Sequence, residues 1–323
     1  MFERNIPMNY DVTALGELLI DLTQNGMSEQ GNPILEANPG GAPCNVLACL
    51  SKMGHKAAFI GKVGKDGFGD QLAAGLVETG ISTEGLLFDP DVHTTLAVVH
   101  TFADGDRDFS FYRNPGADMM LKAEEVNEEI IKNSKIFHFG SLSMTDEPVR
   151  SAHLHALEVA EKSGILRSYD PNLRPPLWPN LDVAKENILE LMGHCDILKI
   201  SDNEIQWLSG KEDYDEGIAW LRERYDIPLI FLTLGKDGSR AYCGSVRTEQ
   251  PGFKMNTIET TGAGDTFFGS VLHHILEKGF RPYTKEELDE MLRFANAAAA
   301  LVTTRRGALR VMPSVEEIEA VLA

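Results

Sequence analysis

Pro43-Cys44-Asn45-Val46-Leu47-Ala48-Cys49-Leu50-Ser51-Lys52-Met53-Gly54, followed by Lys56 to Val63, is the stretch that decides the fold class. Its first part reads as a helix. Pro43 suits a first turn, where its missing N–H costs nothing. Val46, Leu47, Leu50 and Met53 share one face at helical spacing, and Gly54 can end the helix. Lys56 to Val63 then reads as a strand, and Val12 to Ile20 as the strand before it. The same grammar continues along the chain. Phe68 to Thr79, Val149 to Ser163 and Val183 to Met192 read as helices. Lys135 to Gly140, Gly164 to Tyr169, Asp196 to Ile200 and Leu229 to Leu234 read as strands. Such alternation predicts an α/β fold, with a mainly parallel central sheet flanked by helices.

One region departs from this pattern. Thr94 to Tyr112 is β-prone on both sides of the turn-like Ala103-Asp104-Gly105-Asp106, and it reads as a hairpin. Leu18 to Leu22 and Pro33 to Glu36 are further short β candidates. Together these segments, about 18–38 and 91–115, are expected to form a small β-sheet lid on a single domain spanning 1–323. The run Ala297 to Ala300 is expected to be a close-packed helix face.

Composition narrows the function classes. The formal net charge of −19 is spread along the chain, which argues against nucleic acid as a partner. No run of about 18 apolar residues exists, so no membrane span is expected. Met1 to Tyr10 lacks the apolar stretch of a signal peptide, and a cytoplasmic location is the expectation. Cys44, Cys49, Cys195 and Cys243 form no C-x-x-C pair and read as reduced structural thiols. The pairs His153/His155 and His273/His274 have no third ligand nearby in sequence, so neither is expected to hold a metal.

The chemistry concentrates in Glu259-Thr260-Thr261-Gly262-Ala263-Gly264-Asp265. A helix pattern follows, with Phe268, Val271, Leu272, Ile275 and Leu276 on one face and Gly279 as terminator. The small residues therefore sit at a helix N-terminus, where backbone N–H groups lack partners and the dipole favours negative charge. Gly262, Ala263 and Gly264 have little side chain to keep a phosphate away, an arrangement suited to an anion hole for phosphoryl transfer. Asp265 is either a dipole partner or a base that accepts the proton of an attacking alcohol. The chain has no G-x-x-x-x-G-K-[ST] motif and no G-x-G-x-x-G at the first βα turn, so neither a P-loop nor a dinucleotide fold is supported.

Gly40-Gly41-Ala42-Pro43-Cys44-Asn45, leading on to Gly61 and Gly69, together with the Thr261–Asp265 turn, resembles the ribokinase-like (PfkB) carbohydrate kinases over almost the whole chain. Gly16 to Asp21, Phe111 to Asp118, Asp170 to Trp178, Lys199 to Glu204, Ala295 to Ala300 and Thr304 to Ala308 resemble fructokinases in particular. The resemblance implies ATP-dependent phosphorylation of a sugar hydroxyl, with Asp265 as general base and Gly262, Ala263 and Gly264 as the anion hole. Asp21, Gly40, Gly41 and Asn45 would hold sugar hydroxyls; Phe111, Arg113 and Arg174 would sit near the sugar or phosphates. Lys199, Ser201, Glu204, Thr233, Gly235, Gly238 and Asn296 would serve ATP. Glu204 would also organise Mg²⁺ through water, and Ser201 stands where many relatives carry Asn.

Glu259, Val302, Arg305 and Gly307 match a monovalent-cation site, often for K⁺. Relatives usually have Asp at the position of Glu259, so weak or absent K⁺ activation is expected. A homodimer joined through the lids is implied as well. Fructose is the expected substrate. A 2-keto-3-deoxygluconate kinase or a ribokinase of the same family is the alternative within enzymes. A non-catalytic sugar- or nucleotide-binding regulator is the alternative from another class.

Overall fold

A computed structural model describes residues 9–101 and 107–323. The chain runs β1 (Tyr10–Leu15), β2 (Leu19–Met27), β3 (Pro33–Gly40), α1 (Ala42–Lys52), β4 (Ala57–Gly64), α2 (Gly67–Glu78), β5 (Ile81–Asp89), β6 (Leu96–Thr101) and β7 (Arg107–Tyr112). It continues through α3 (Glu128–Lys132), β8 (Ser134–Gly140), α4 (Val149–Lys162), β9 (Leu166–Asp170), α5 (Leu181–Met192), β10 (Ile197–Ser201), α6 (Asp202–Ser209) and α7 (Tyr214–Arg222). The last third is β11 (Leu229–Thr233), β12 (Ser239–Cys243), β13 (Val246–Gln250), α8 (Ala263–Lys278), α9 (Lys285–Val302) and α10 (Val315–Leu322).

Nine strands form the large sheet in the order β13-β12-β11-β10-β9-β8-β1-β4-β5. Pairing is parallel from β11 to β5, and β12 and β13 add an antiparallel edge. Along each strand side chains alternate between the faces. In β4, Ala57 and Phe59 join one hydrophobic core while Ala58 and Ile60 join the other. Helices α1, α8 and α9 cover the first core, and α4 and α5 the second. Strand order reverses at β1, which pairs with β4 on one side and β8 on the other. At such a switch point a crevice opens beyond the carboxyl ends of the strands, where ligands of open α/β sheets bind.

The second sheet, β3-β2-β6-β7, has four strands. Strands β6 and β7 pair antiparallel, as a hairpin requires; residues 102–106, which include the expected turn Ala103 to Asp106, lie outside the described residues. So do residues 1–8 of the segment read for a signal peptide.

The expected strand Val12 to Ile20 is in fact two. β1 ends at Leu15, and Leu19 and Ile20 already belong to β2 in the small sheet. Gly16 marks the break: a β-carbon there would lie 2.5 Å from Pro43, so only glycine lets α1 start so close to the end of β1. In the Ala297–Ala300 run, Ala297 and Ala298 are buried in the core, while Ala299 and Ala300 reach a cavity described below.

One helix contact sets the site. A β-carbon at Gly269 of α8 would come within 2.8 Å of Cys49 on α1, so the two helices approach closely there. One turn back on each helix stand Asp265 and Asn45. Residues four apart share a helix face, so the same approach brings this polar pair together.

Candidate active site

Gly262 caps α8 in the left-handed region, at φ 78°, where side chains other than glycine are strained. A β-carbon there would also lie 3.1 Å from that of Ala308. The turn leaves backbone donors at the mouth of the helix. The Ala263 N–H leans toward the Thr260 carbonyl at 3.3 Å, and that of Thr266 donates to Gly262 at 2.8 Å. The N–H groups of Gly264 and Asp265 have no partner among the described residues. Two adjacent free amides at the positive end of a 16-residue helix make a local anion site.

The Asp265 carboxylate is buried and accepts from Asn45 Nδ2 at 2.7 Å; it forms no salt bridge among the described residues. Burial raises its pKa. The Asn45 hydrogen bond, then Lys199 and Arg174, oppose the rise without cancelling it. Asn45 Oδ1 is buried with no hydrogen-bond partner among the described residues, and Asn45 lines the cavity next to Asp265. An orphaned acceptor there is able to receive a hydroxyl proton.

That cavity, of about 340 Å³, is walled by Glu17, Leu19, Asp21, Gly41, Ala42, Asn45, Phe111, Leu142, Asn172, Arg174, Lys199 and the Thr260–Asp265 turn. Leu19 and Asp21 come from β2 and Phe111 from β7, so the small sheet supplies one wall. Gly41, at φ 123°, places α1 against the wall; a β-carbon there would collide with the Glu17 carbonyl at 2.3 Å. Gly40 makes room for the Asp21 carboxylate, which a β-carbon would meet at 2.3 Å. Burial pushes Asp21 up to about 7, against the pull of Arg174 and with the repulsion of Glu259 and Asp265 added. Glu17 is pushed to about 7 as well, by burial, although its carboxylate accepts from Ala42 N at 3.0 Å. Arg174 spends one donor on the Leu173 carbonyl at 3.2 Å and lines the cavity.

A second cavity, of about 350 Å³, lies on the other side of the same turn and shares Thr260, Ala263 and Gly264 with the first. Ser201, Asp202, Thr233, Gly235, Lys236 and Gly238 form its polar side. Phe253, Phe267, Ala299 and Ala300 form its apolar side, and Asn296 lies at its edge. Asn296 is also structural: it accepts from Ser239 Oγ at 2.9 Å and donates to the Gln250 and Pro251 carbonyls at 3.2 Å. The two cavities thus meet at the free amides of α8, and the second adds an apolar side to its polar one.

Lys199 stands where they meet. Its ammonium pairs with Asp170 at 2.9 and 3.1 Å, both groups being buried, and a β-carbon on Gly264 would come within 3.3 Å of it. Lys199 lines the first cavity, not the one with the apolar side.

Glu204 lines neither cavity. It accepts from Leu173 N at 2.8 Å, and from Ser201 N and Oγ at 2.8 Å each, closing a capping box on α6. Burial would raise its pKa, but Lys199 and these donors hold it below the ordinary carboxylate range. Three of about four lone-pair positions on a carboxylate are then in use. What remains suits a hydrated ion held through water, the manner Mg²⁺ prefers.

Arg113 does not reach the cavity. Its Nε donates to Asp118 at 2.7 Å, Nη1 to Thr145 Oγ1 at 2.8 Å and Nη2 to the Leu142 carbonyl at 3.1 Å, all beneath the surface. The expectation of a substrate contact gives way to a buried pair, because each guanidinium nitrogen already has a partner inside the protein and Arg113 does not line the cavity. The residues of the expected monovalent-cation site are also internally engaged. Glu259 accepts from Thr261 Oγ1 at 2.7 Å and from Gly307 N at 3.0 Å. Arg305 pairs with Glu317 and donates to the Val311 carbonyl at 3.0 Å, and Val302 is fully buried.

Glu17 and Asn172 are cavity residues to which sequence reasoning attached no role. Asn172 carried a readable signal: it follows Asp170-Pro171 and adopts φ 47°, a conformation Asn tolerates better than most residues.

The family model "pfkB family carbohydrate kinase" matches residues 9–315. The chain is 42% identical over 313 residues to probable fructokinase-4 of Arabidopsis thaliana, covering 96% of each sequence. It is 42% identical to fructokinase-1 of Zea mays over 309 residues, covering 95% of this chain and 96% of the relative. Among solved structures, fructokinase with bound ATP from Xylella fastidiosa superposes with a TM-score of 0.88 at 29% identity, over 97% of this chain and 98% of that one. Fructokinase from Vibrio cholerae O395 in its fructose, ADP and calcium bound form gives 0.87 at 29% identity, over 98% and 100%. With this fold, and with the Gly-Ala-Gly-Asp turn between two cavities, the chain belongs to the pfkB family of carbohydrate kinases.

Proposed function

We infer that the chain is an ATP-dependent fructokinase that converts D-fructose and ATP to fructose 6-phosphate and ADP. One observation carries the reading: a buried carboxylate, Asp265, adjoins two free helix N-terminal amides where two cavities meet. Fructose occupies the polar cavity, held by Asp21, Asn45 and Arg174 under Phe111. ATP occupies the cavity with the apolar side, its terminal phosphate aimed at the turn. Asp265 takes the proton of the C6 hydroxyl as that oxygen attacks the γ-phosphorus and the bond to the ADP oxygen breaks. The amides of Gly264 and Asp265, with Lys199 beside them, stabilise charge on the equatorial oxygens. Glu204 would hold a hydrated Mg²⁺ through water, and the ion would supply charge neutralisation on the phosphates. The small sheet acts as a lid that excludes water from the transfer.

A panel of sugars assayed by coupled ADP release tests this directly. Fructose is expected to give the highest kcat/KM. A clear preference for ribose or for a 2-keto-3-deoxy sugar acid would move the substrate, and ATP turnover with none of them would return the chain to a binding role.

Among the residues matched to the monovalent-cation site, Glu259 is one methylene longer than an aspartate and its carboxylate is fixed by Thr261 and Gly307, so the ligand geometry differs from that of the usual site. Turnover is therefore expected to be the same in K⁺ as in a bulky organic cation, and a large, K⁺-specific stimulation would contradict this. Met27, Ile34, Leu35 and Tyr112 stand exposed on the small sheet. These apolar side chains support pairing of two chains lid to lid.

A further inference from the structure

Outside the active site, the fold assembles three metal-ligating side chains from two distant parts of the sequence. His55 follows α1, and His273 and Glu277 lie one turn apart on α8. One ligand atom from each falls within 4.8 Å of the others, the sole such group of His, Cys, Asp and Glu among the described residues. His55 Nε2 lies 2.7 Å from His273 Nδ1, so the two rings aim nitrogens at one point. Both histidines are half-buried and Glu277 is exposed, which leaves the point open to solvent on one side.

We propose that His55, His273 and Glu277 form a binding site for one divalent ion of the zinc class, clamping α8 to the loop before β4. The donor set of two imidazoles and one carboxylate matches a late first-row ion and not hard Mg²⁺. A tetrahedral zinc holds ligand nitrogens about 3.3 Å apart, so the rings need to part by about 0.6 Å. Asp11 Oδ2 stands 3.8 Å from His55 Nδ1, on the side of the ring away from His273. At that distance Asp11 adds negative charge behind the ring without a hydrogen bond to it, which favours a cation on the opposite nitrogen. Asp11 is itself fixed by Lys135 Nζ at 2.7 Å and Lys56 N at 2.9 Å. The His273 ring stacks on Phe294 of α9, which limits its rotation.

His155–Glu128 and His93–Asp66 offer one histidine each, so they provide controls. Titration calorimetry of the full chain, stripped with a chelator and kept in excess Mg²⁺, is expected to show one zinc per chain with micromolar affinity. His273→Ala should weaken it by about tenfold or more. Glu277→Gln should weaken it to a smaller degree, and His155→Ala should leave it unchanged. Cobalt in place of zinc should give the visible absorption of a tetrahedral site in the parent chain and lose it in His273→Ala. Retained sugar-kinase turnover in zinc-free His273→Ala shows that the variant folds; if turnover is lost, Glu277→Gln, at an exposed position, decides. Absence of saturable zinc binding, or equal binding by parent and both site variants, overturns the proposal and leaves a plain imidazole–imidazole hydrogen bond.

Discussion

Replacing Asp265 with Asn lowers kcat for fructose by at least about a hundredfold, the usual scale on which loss of a general base is felt. That corresponds to about 2.7 kcal/mol of transition-state stabilisation. The variant keeps the shape of the side chain and still offers an oxygen to Asn45 Nδ2, which donates to Asp265 at 2.7 Å. KM for fructose should therefore move far less than kcat, because the lost interaction belongs to the transition state. The pH profile gives an independent readout. A base works only when deprotonated, so activity falls as pH drops through its pKa. Burial raises the Asp265 pKa above 3.8, and the acid limb of kcat/KM is expected above the range of an ordinary aspartate. Near-normal turnover in Asp265→Asn would remove this residue from the role.

The apolar patterns that made α1, α4 and α8 legible are those with one continuous face against the large sheet, where spacing alone reports burial. Where neighbouring apolar residues serve two sheets, the pattern misleads. Val12 to Ile20 is uninterruptedly buried, yet the chain changes sheet within it, and only the contact of Gly16 with Pro43 explains where. Strand β13 was hidden because it is an edge strand, Val246–Gln250, that carries exposed polar residues.

In the site, the Gly-Ala-Gly-Asp turn was readable because its chemistry is local: small residues and a carboxylate in one helical turn. Partnerships across the chain were not. Nothing near Arg113 says that Asp118, Thr145 and Leu142 use up its donors, and nothing near His273 points to His55, 218 residues away. Such facts follow from which strands and helices become neighbours, a property of topology and not of any one segment.

The pair Lys199–Asp170 is another such partnership, and Lys199→Met should cost about 3–5 kcal/mol of stability, the range for removing one member of a buried ion pair. The two groups sit on adjacent parallel strands, Asp170 ending β9 and Lys199 in β10, so the fold holds them together whether or not both are charged. Burial already lifts Asp170 to about 6 while Lys199 pulls the other way. Without the lysine its pKa rises further, and the carboxyl can escape part of the cost by taking up a proton. The sign of the pH dependence follows. A folded-state pKa above the unfolded value means stability that is present at acid pH and lost as pH rises through the folded pKa. Lys199→Met should thus differ least from the parent at acid pH and most at and above neutrality. Adding Asp170→Asn removes the orphaned charge, so the double variant should recover much of the loss near neutral pH. Thermal unfolding of the parent, both single variants and the double variant measures the cycle. A double variant no more stable than Lys199→Met would mean that the lysine contributes through its packing, and not by compensating the Asp170 charge.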